Sequence, residues 1–139
     1  MSSMDQKKIY EIDGNHFSTL EEFYEEISRV LIPGVDWGRN LDAFNDILRG
    51  GFGTPEEGFS LLWKKSDISR QRLGYAETTR QLTLRLERCH PGNRPYVKSD
   101  LEQAKKGEGA TVFDWLVEII QIHCRGGEEE EDGVEFELS

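Results

Sequence analysis

The sequence predicts an α/β domain, a small three-stranded parallel sheet flanked by helices, with an additional helical insertion. Three observations predict it. Strand-like stretches stand near the start, middle and end of the chain, at residues 8–12, 59–63 and 134–138. Between them, apolar residues recur at helical spacing. Strands separated by helices need crossovers, and crossovers leave neighbouring strands parallel. The 139 residues suit one domain, and a chain of that length buries roughly two thirds of its unfolded surface.

Residues 1–7 are expected to be a disordered leader, and 8–139 a single domain. The first strand ends at the turn signal Asp13-Gly14-Asn15. Ser18, with Glu21 three residues on, makes a capping box and opens a helix. Leu20, Phe23, Tyr24, Ile27 and Leu31 form its apolar face, and Glu21, Glu22, Glu25 and Glu26 its wet side. Ile32-Pro33-Gly34 stops it. A second helix starts near Asn40, runs through Leu41, Phe44, Ile47 and Leu48, and stops at Gly50-Gly51. Gly50-Gly51-Phe52-Gly53 reads as a turn. It follows a helix and lacks Lys-Ser/Thr, so it fails the phosphate-loop pattern.

The nearly continuous apolar run 59–63 fits a strand buried on both faces. The insertion covers about residues 66–110. There Leu82, Leu84 and Leu86 alternate, but the flanking Arg, Gln and Glu favour helix. Residues 91–95, bounded by two prolines, read as a loop. Ser99 with Glu102 is a capping box for a short helix ending at Gly107. Thr111 with Asp114 caps a largely apolar helix containing Val112, Trp115, Leu116, Ile119, Ile120 and Ile122, which Gly126-Gly127 end. Residues 128–132 read as a solvated acidic loop, and Val134, Phe136 and Leu138 alternate with polar residues in a final strand.

The net charge is −10, and it is unevenly spread. Residues 1–65 hold 12 acidic and 7 basic residues, 66–106 hold 5 and 9, and 107–139 hold 10 and 1. An isoelectric point near 4.8 argues against nucleic-acid binding, because phosphates would be repelled. It makes a basic protein a fair candidate as partner, although from charge alone a solvated surface that keeps the protein soluble is the better explanation. The arginines at 70, 72, 80, 85, 88 and 94 fit a helical subdomain paired with the acidic ends better than an RNA patch. No apolar run approaches the ~20 residues of a membrane span, and no signal-peptide core opens the chain. A cytoplasmic location is expected, with Cys89 and Cys124 as reduced thiols. The pairs Cys89-His90 and His123-Cys124 invite zinc, but adjacent residues rarely chelate one metal, so packing is the ordinary explanation. No cofactor is expected. No Ser/His/Asp or Cys/His set stands at an informative spacing, so an enzyme is not expected either.

The segment that carries the functional signal is Asp36-Trp37-Gly38-Arg39-Asn40-Leu41-Asp42-Ala43-Phe44-Asn45-Asp46. Asn40 is a good N-cap. Asp42 and Asp46, four apart, share one helix face. Their mutual repulsion would be reversed by a cationic partner. On spacing alone, a capped amphipathic helix with a wet acidic side explains the pattern.

This segment resembles the barstar family, the intracellular inhibitors of barnase-like ribonucleases. The family pattern is an aromatic residue, Gly, any residue, Asn-Leu-Asp-Ala, two residues, then Asp. Trp37, Gly38, Asn40, Leu41, Asp42, Ala43 and Asp46 fit it, and the order of elements agrees over about residues 8–65 and 111–139. The resemblance implies that the motif helix and the loop before it plug a ribonuclease active site. Asp46 would take the place of the RNA phosphate, and Asp42 would pair with a nuclease Arg or Lys. The candidate contact set is Trp37, Gly38, Asn40, Asp42, Asn45, Asp46 and Arg49. Where the family often has aromatics, this chain has Asp36 and Asn45, and a late contact glutamate falls at Gln121. An immunity-type inhibitor of a ribonuclease is expected, with a barstar-like module for a non-nuclease basic partner as the alternative. No nucleic-acid or membrane contact is expected, and the free chain is expected to be a monomer.

Overall fold

The computed structural model describes residues 7–50, 53–55 and 57–139. In chain order the elements are β1 (Ile9–Asp13), α1 (Leu20–Val30), α2 (Leu41–Leu48), β2 (Ser60–Lys64), α3 (Ser66–Arg72), α4 (Tyr75–Arg88), α5 (Arg94–Lys105), α6 (Val112–Ile122) and β3 (Glu135–Leu138). The strands form one sheet in the order β1-β2-β3, parallel throughout. The predicted fold class, a three-stranded parallel sheet flanked by helices, stands. Among the described residues no helix is long and apolar enough to cross a membrane.

Register explains which side of the sheet is buried. Tyr10 pairs with Leu61 and Leu61 with Phe136, while Ile12 pairs with Trp63. These inner positions meet α1, α2 and α6 in an aromatic core. Phe23 touches Phe44 with ring centroids 5.3 Å apart, and Trp63 touches Phe113 at 5.2 Å. The outer positions are Ile9, Ser60 and Glu135, then Glu11, Leu62 and Glu137. Ile9 is 66% exposed, and Glu11, Glu135 and Glu137 are all exposed. The expectation that β2 is buried on both faces is therefore corrected. Only Leu61 and Trp63 are fully enclosed, because the helices lie on one side and the other meets water.

Several local readings change. Helix α1 is capped by Thr19, not Ser18. Thr19 is extended, and its side chain accepts from the Glu22 N–H at 3.1 Å. Ser18 instead donates its backbone N–H to Glu22 Oε1 at 2.7 Å. Residues 91–95 are not all loop. A short 3-10 turn covers Pro91–Asn93, and α5 begins at Arg94 with Pro95 in its first turn. Proline is tolerated there because the first N–H groups have no intrahelical partner. Ser99 is consequently interior to α5 rather than its cap.

The predicted insertion divides by packing. Helix α3 belongs to the main core. Leu73 behind it is fully buried, and Trp63 Nε1 donates to Ser69 Oγ at 2.9 Å. Gly14 lies so close to α3 that a Cβ there would collide with the Lys65 carbonyl and the Ser69 hydroxyl. Helices α4 and α5 form a hairpin around its own small cluster of Leu82, Val97, Leu101 and Ala104, with Trp115 of α6 touching both clusters.

Polar groups of α4 dock the hairpin. Glu77 is buried and accepts the Leu20 N–H at the start of α1 at 2.9 Å. Arg80 and Gln81 bond to Glu77, and both also reach Glu21 on α1. Partial burial opposes ionisation of Glu21, but the bonds from Gln81 and Arg80 outweigh it and hold the carboxyl below its usual range. Thr78 accepts the Val112 N–H at the start of α6 at 2.9 Å.

Residues 1–6 of the predicted leader lie outside the described residues. Lys7 does not behave as leader. Its Nζ donates to the Gly133 carbonyl and lies 3.8 Å from the Glu135 carboxylate. Of the glycine-rich turn, Gly51 and Phe52 lie outside the described residues, and Gly50 has a left-handed φ of 89° just past α2.

Candidate protein-binding site

The loop before α2 is built from behind. Trp37 is only 8% exposed. Its ring packs edge-on against Tyr24 at 5.5 Å, and its Nε1 donates to Ser28 Oγ at 2.5 Å. The ring therefore supports the loop and does not stand on its surface. Gly38 is exposed, but a Cβ there would lie 2.9 Å from Asn40 Nδ2 and 3.3 Å from the Ala43 Cβ. Glycine lets the loop close over the helix start. Arg39 adopts a left-handed φ of 50° and lies 3.4 Å from Glu25.

Asn40 is the cap the sequence predicts. It is extended, and its Oδ1 accepts the Ala43 N–H at 2.8 Å. The cap fixes the first turn of α2, and Phe44, Ile47 and Leu48 anchor the helix in the core. Asp42 then faces solvent in the first turn, where the helix dipole favours a negative charge. Among the described residues it makes no salt bridge. Asp46 lies one turn further on, with its side chain 48% exposed.

Arg49 bridges two acids. Its Nη1 is 2.7 Å from Asp46 Oδ1, and its Nε and Nη2 grip Glu129 at 2.8 and 3.1 Å. The hydrogen bond to Glu129 raises the Arg49 pKa and lowers that of Glu129. Asp46 is therefore partly neutralised from within the chain. Asn45, beside it, does not project freely. Its Oδ1 lies 2.6 Å from His123 Nε2. His123 is fully buried at the end of α6, and its Nδ1 lies 2.6 Å from Asp132 Oδ2. A carboxylate only accepts, so Nδ1 donates.

These contacts revise the acidic loop. Residues 128–132 are tied down through Glu129, Asp132 and the Glu130 carboxylate, which accepts the Gly126 N–H at 2.8 Å. His123, Glu129 and Asp132 lie close enough to share an ion. Their donor atoms, however, are already spent on Asn45, Arg49 and one another. Cys124 bonds the Ile120 carbonyl at 3.3 Å, and burial raises its thiol pKa. Cys89 reaches the Leu86 carbonyl at 3.7 Å, which is a packing role. His123, Glu129 and Asp132 were not in the predicted contact set. Their links to α2 and its C-terminal Arg49 span up to 80 residues, and only the uneven charge of the tail hinted at them.

A family model described as Barstar (barnase inhibitor) matches residues 7–90. The chain belongs to the barstar family. The match takes in β1, the whole motif, β2, α3 and α4. The barstar-family match thus enters the segment that the sequence reading set apart as insertion, and it stops before α6 and β3. A search of the curated proteins finds no match to the chain.

Proposed function

We propose that this barstar-family chain binds a ribonuclease and blocks its active site through α2 and the loop before it. One observation carries the reading. Asp42 and Asp46 stand one turn apart on the solvent side of a capped helix whose other side is locked in the core. A ribonuclease cleft is cationic because it holds RNA phosphates, and a rigid acidic helix complements it without reorganising. Blocking would be steric and electrostatic, and association would slow as salt rises. Asn40 and Gly38 shape the contact loop, and Trp37 holds it from behind. Asn45 and Arg49 set the surroundings of Asp46. No cofactor enters this mechanism, and the partner is a basic protein.

One observation favours a different basic partner. Arg49 already pairs with Asp46, so any guanidinium from a partner must displace it or share the carboxylate. A partner with a differently placed cation would suit this surface better than a typical barnase-like cleft.

The test is inhibition of a barnase-type, guanyl-preferring ribonuclease by the protein and by Asp46→Ala. Stoichiometric inhibition is expected, with the variant weaker by about 2–5 kcal/mol in binding, the usual loss when one partner of a buried charge pair is truncated. The urea midpoint should change little, since the Asp46–Arg49 pair is exposed. A variant that unfolds easily yet inhibits as well as the parent would overturn the site.

A further inference from the structure

We infer that the open edge of β3 is a docking site for an extended, basic segment of a partner protein, which adds there as a fourth strand. β3 is the last strand in the order β1-β2-β3, so among the described residues its outer side carries no strand, only the single parallel bridge of Cys124 with Val134 just before it. On its inner side the N–H of Glu135 reaches the Phe59 carbonyl at 2.9 Å, and that of Ser139 reaches the Trp63 carbonyl at 2.9 Å. In a parallel ladder successive residues turn their backbone groups to opposite sides. Phe136 and Leu138 therefore direct their N–H and C=O groups outward.

A groove of about 870 Å³ runs beside this edge, between β3 and α6. Ile122, Val134 and Phe136 line it together with Glu118, Glu128 and Glu135, against the single cation Arg125. The register sets the chemistry of an added strand. Phe136 lies level with Leu61 on the inner face, while Glu135 and Glu137 lie level with Ser60 and Leu62 on the outer face. An added strand would alternate in step with β3. Its inner side chains would meet Ile122 and Phe136, and its outer ones Glu137 and Glu135, the latter already accepting from Ser60 Oγ at 2.9 Å and lying 3.8 Å from Lys7. The complement is a segment that alternates apolar and basic residues. Residues 107–139 carry 10 acidic residues against 1 basic, which draws such a segment in. The same glutamates oppose pairing with a second copy, since like charges would face each other across the new ladder.

The test uses the full chain, labelled with nitrogen-15, and a synthetic peptide of alternating lysine and valine. A peptide with glutamate in place of lysine is the control. Amide exchange is read at Phe136 and Leu138. The lysine peptide should slow exchange at both by at least about tenfold, and the glutamate peptide should not. Leu138→Pro removes an outward N–H while sparing the ladder to β2, and it should weaken the lysine peptide by about tenfold or more. Should that variant fail to fold, the two peptides on the unaltered chain decide the question. No protection with the lysine peptide, equal protection by both peptides, or protection before any peptide is added would each overturn the inference. So would dimerisation of the chain through this edge.

Discussion

His123 shows how a single residue organises the neighbourhood of the contact helix. It is fully buried, yet both ring nitrogens are bonded, one to Asp132 and one to Asn45. It thereby joins the end of α6, the acidic segment and the middle of α2. Replacing it with alanine leaves a cavity and strands two polar side chains. An unmet buried partner costs about 1–3 kcal/mol. His123→Ala is expected to lower the urea unfolding free energy by at least that much, and to change the side-chain amide signal of Asn45 in NMR spectra. An unchanged amide signal would show that the contact does not hold Asn45. At this scale the sequence was legible only where chemistry is local. Asn40 could be named as a cap because its partner is three residues away. His123 could not be matched to Asn45, since no spacing rule reaches across 78 residues. Trp37 was legible as part of a motif but not as a support, because whether a ring faces in or out depends on α1.

Among the elements, α4 has the most unusual position. Helices usually finish their own first turns with a local cap. Here Glu77 completes α1, and Thr78 adds a second acceptor to α6 beside its local Thr111 cap. Thr78→Val keeps the shape and removes the hydroxyl, leaving the buried Val112 N–H without its acceptor. The expected loss is about 1–3 kcal/mol, read as a lower urea midpoint with little change in helical signal. A midpoint equal to the parent's would mean water replaces the hydroxyl. The strands, α1, α2 and α6 were legible because each carries strong periodicity or a cap. Helix α3 was not, since it starts directly from Lys65 in a left-handed conformation with no capping side chain. The start of α5 was obscured by Pro95, which signals a loop in sequence but fits a first turn in space.

For the whole molecule, acid should be the weak direction. Glu26 is buried between β1 and α1. Burial opposes its ionisation, but Arg29, the Asp13 N–H and His16 hold its carboxyl below the usual range. Glu21 and Glu129 are shifted the same way. A carboxyl lowered on folding stabilises the fold above its unfolded value, 4.5 here, and loses that contribution as pH falls through the folded value. From pH 7 towards the isoelectric point the shrinking net charge relieves self-repulsion, so stability should hold or rise. Below 4.5 it should drop. Urea midpoints at neutral, mildly acid and strongly acid pH check this, and Glu26→Gln should flatten the acid limb. A midpoint that climbs steadily into strong acid would refute it.

The docking of α4 also has a consequence in time. A chain is synthesised from its N-terminus, and its domains begin to fold in that order. Helix α1 emerges early, but the acceptor for its Leu20 N–H lies 57 residues later, at Glu77. The same wait applies to Glu21, whose partners Arg80 and Gln81 lie about as far on. The nascent α1 therefore has only its local bonds, the Thr19 cap and the Ser18 N–H to Glu22, to hold its opening turn until α4 has left the ribosome. A pause in translation between the codons for Lys65 and Glu77 would prolong the life of a half-finished helix.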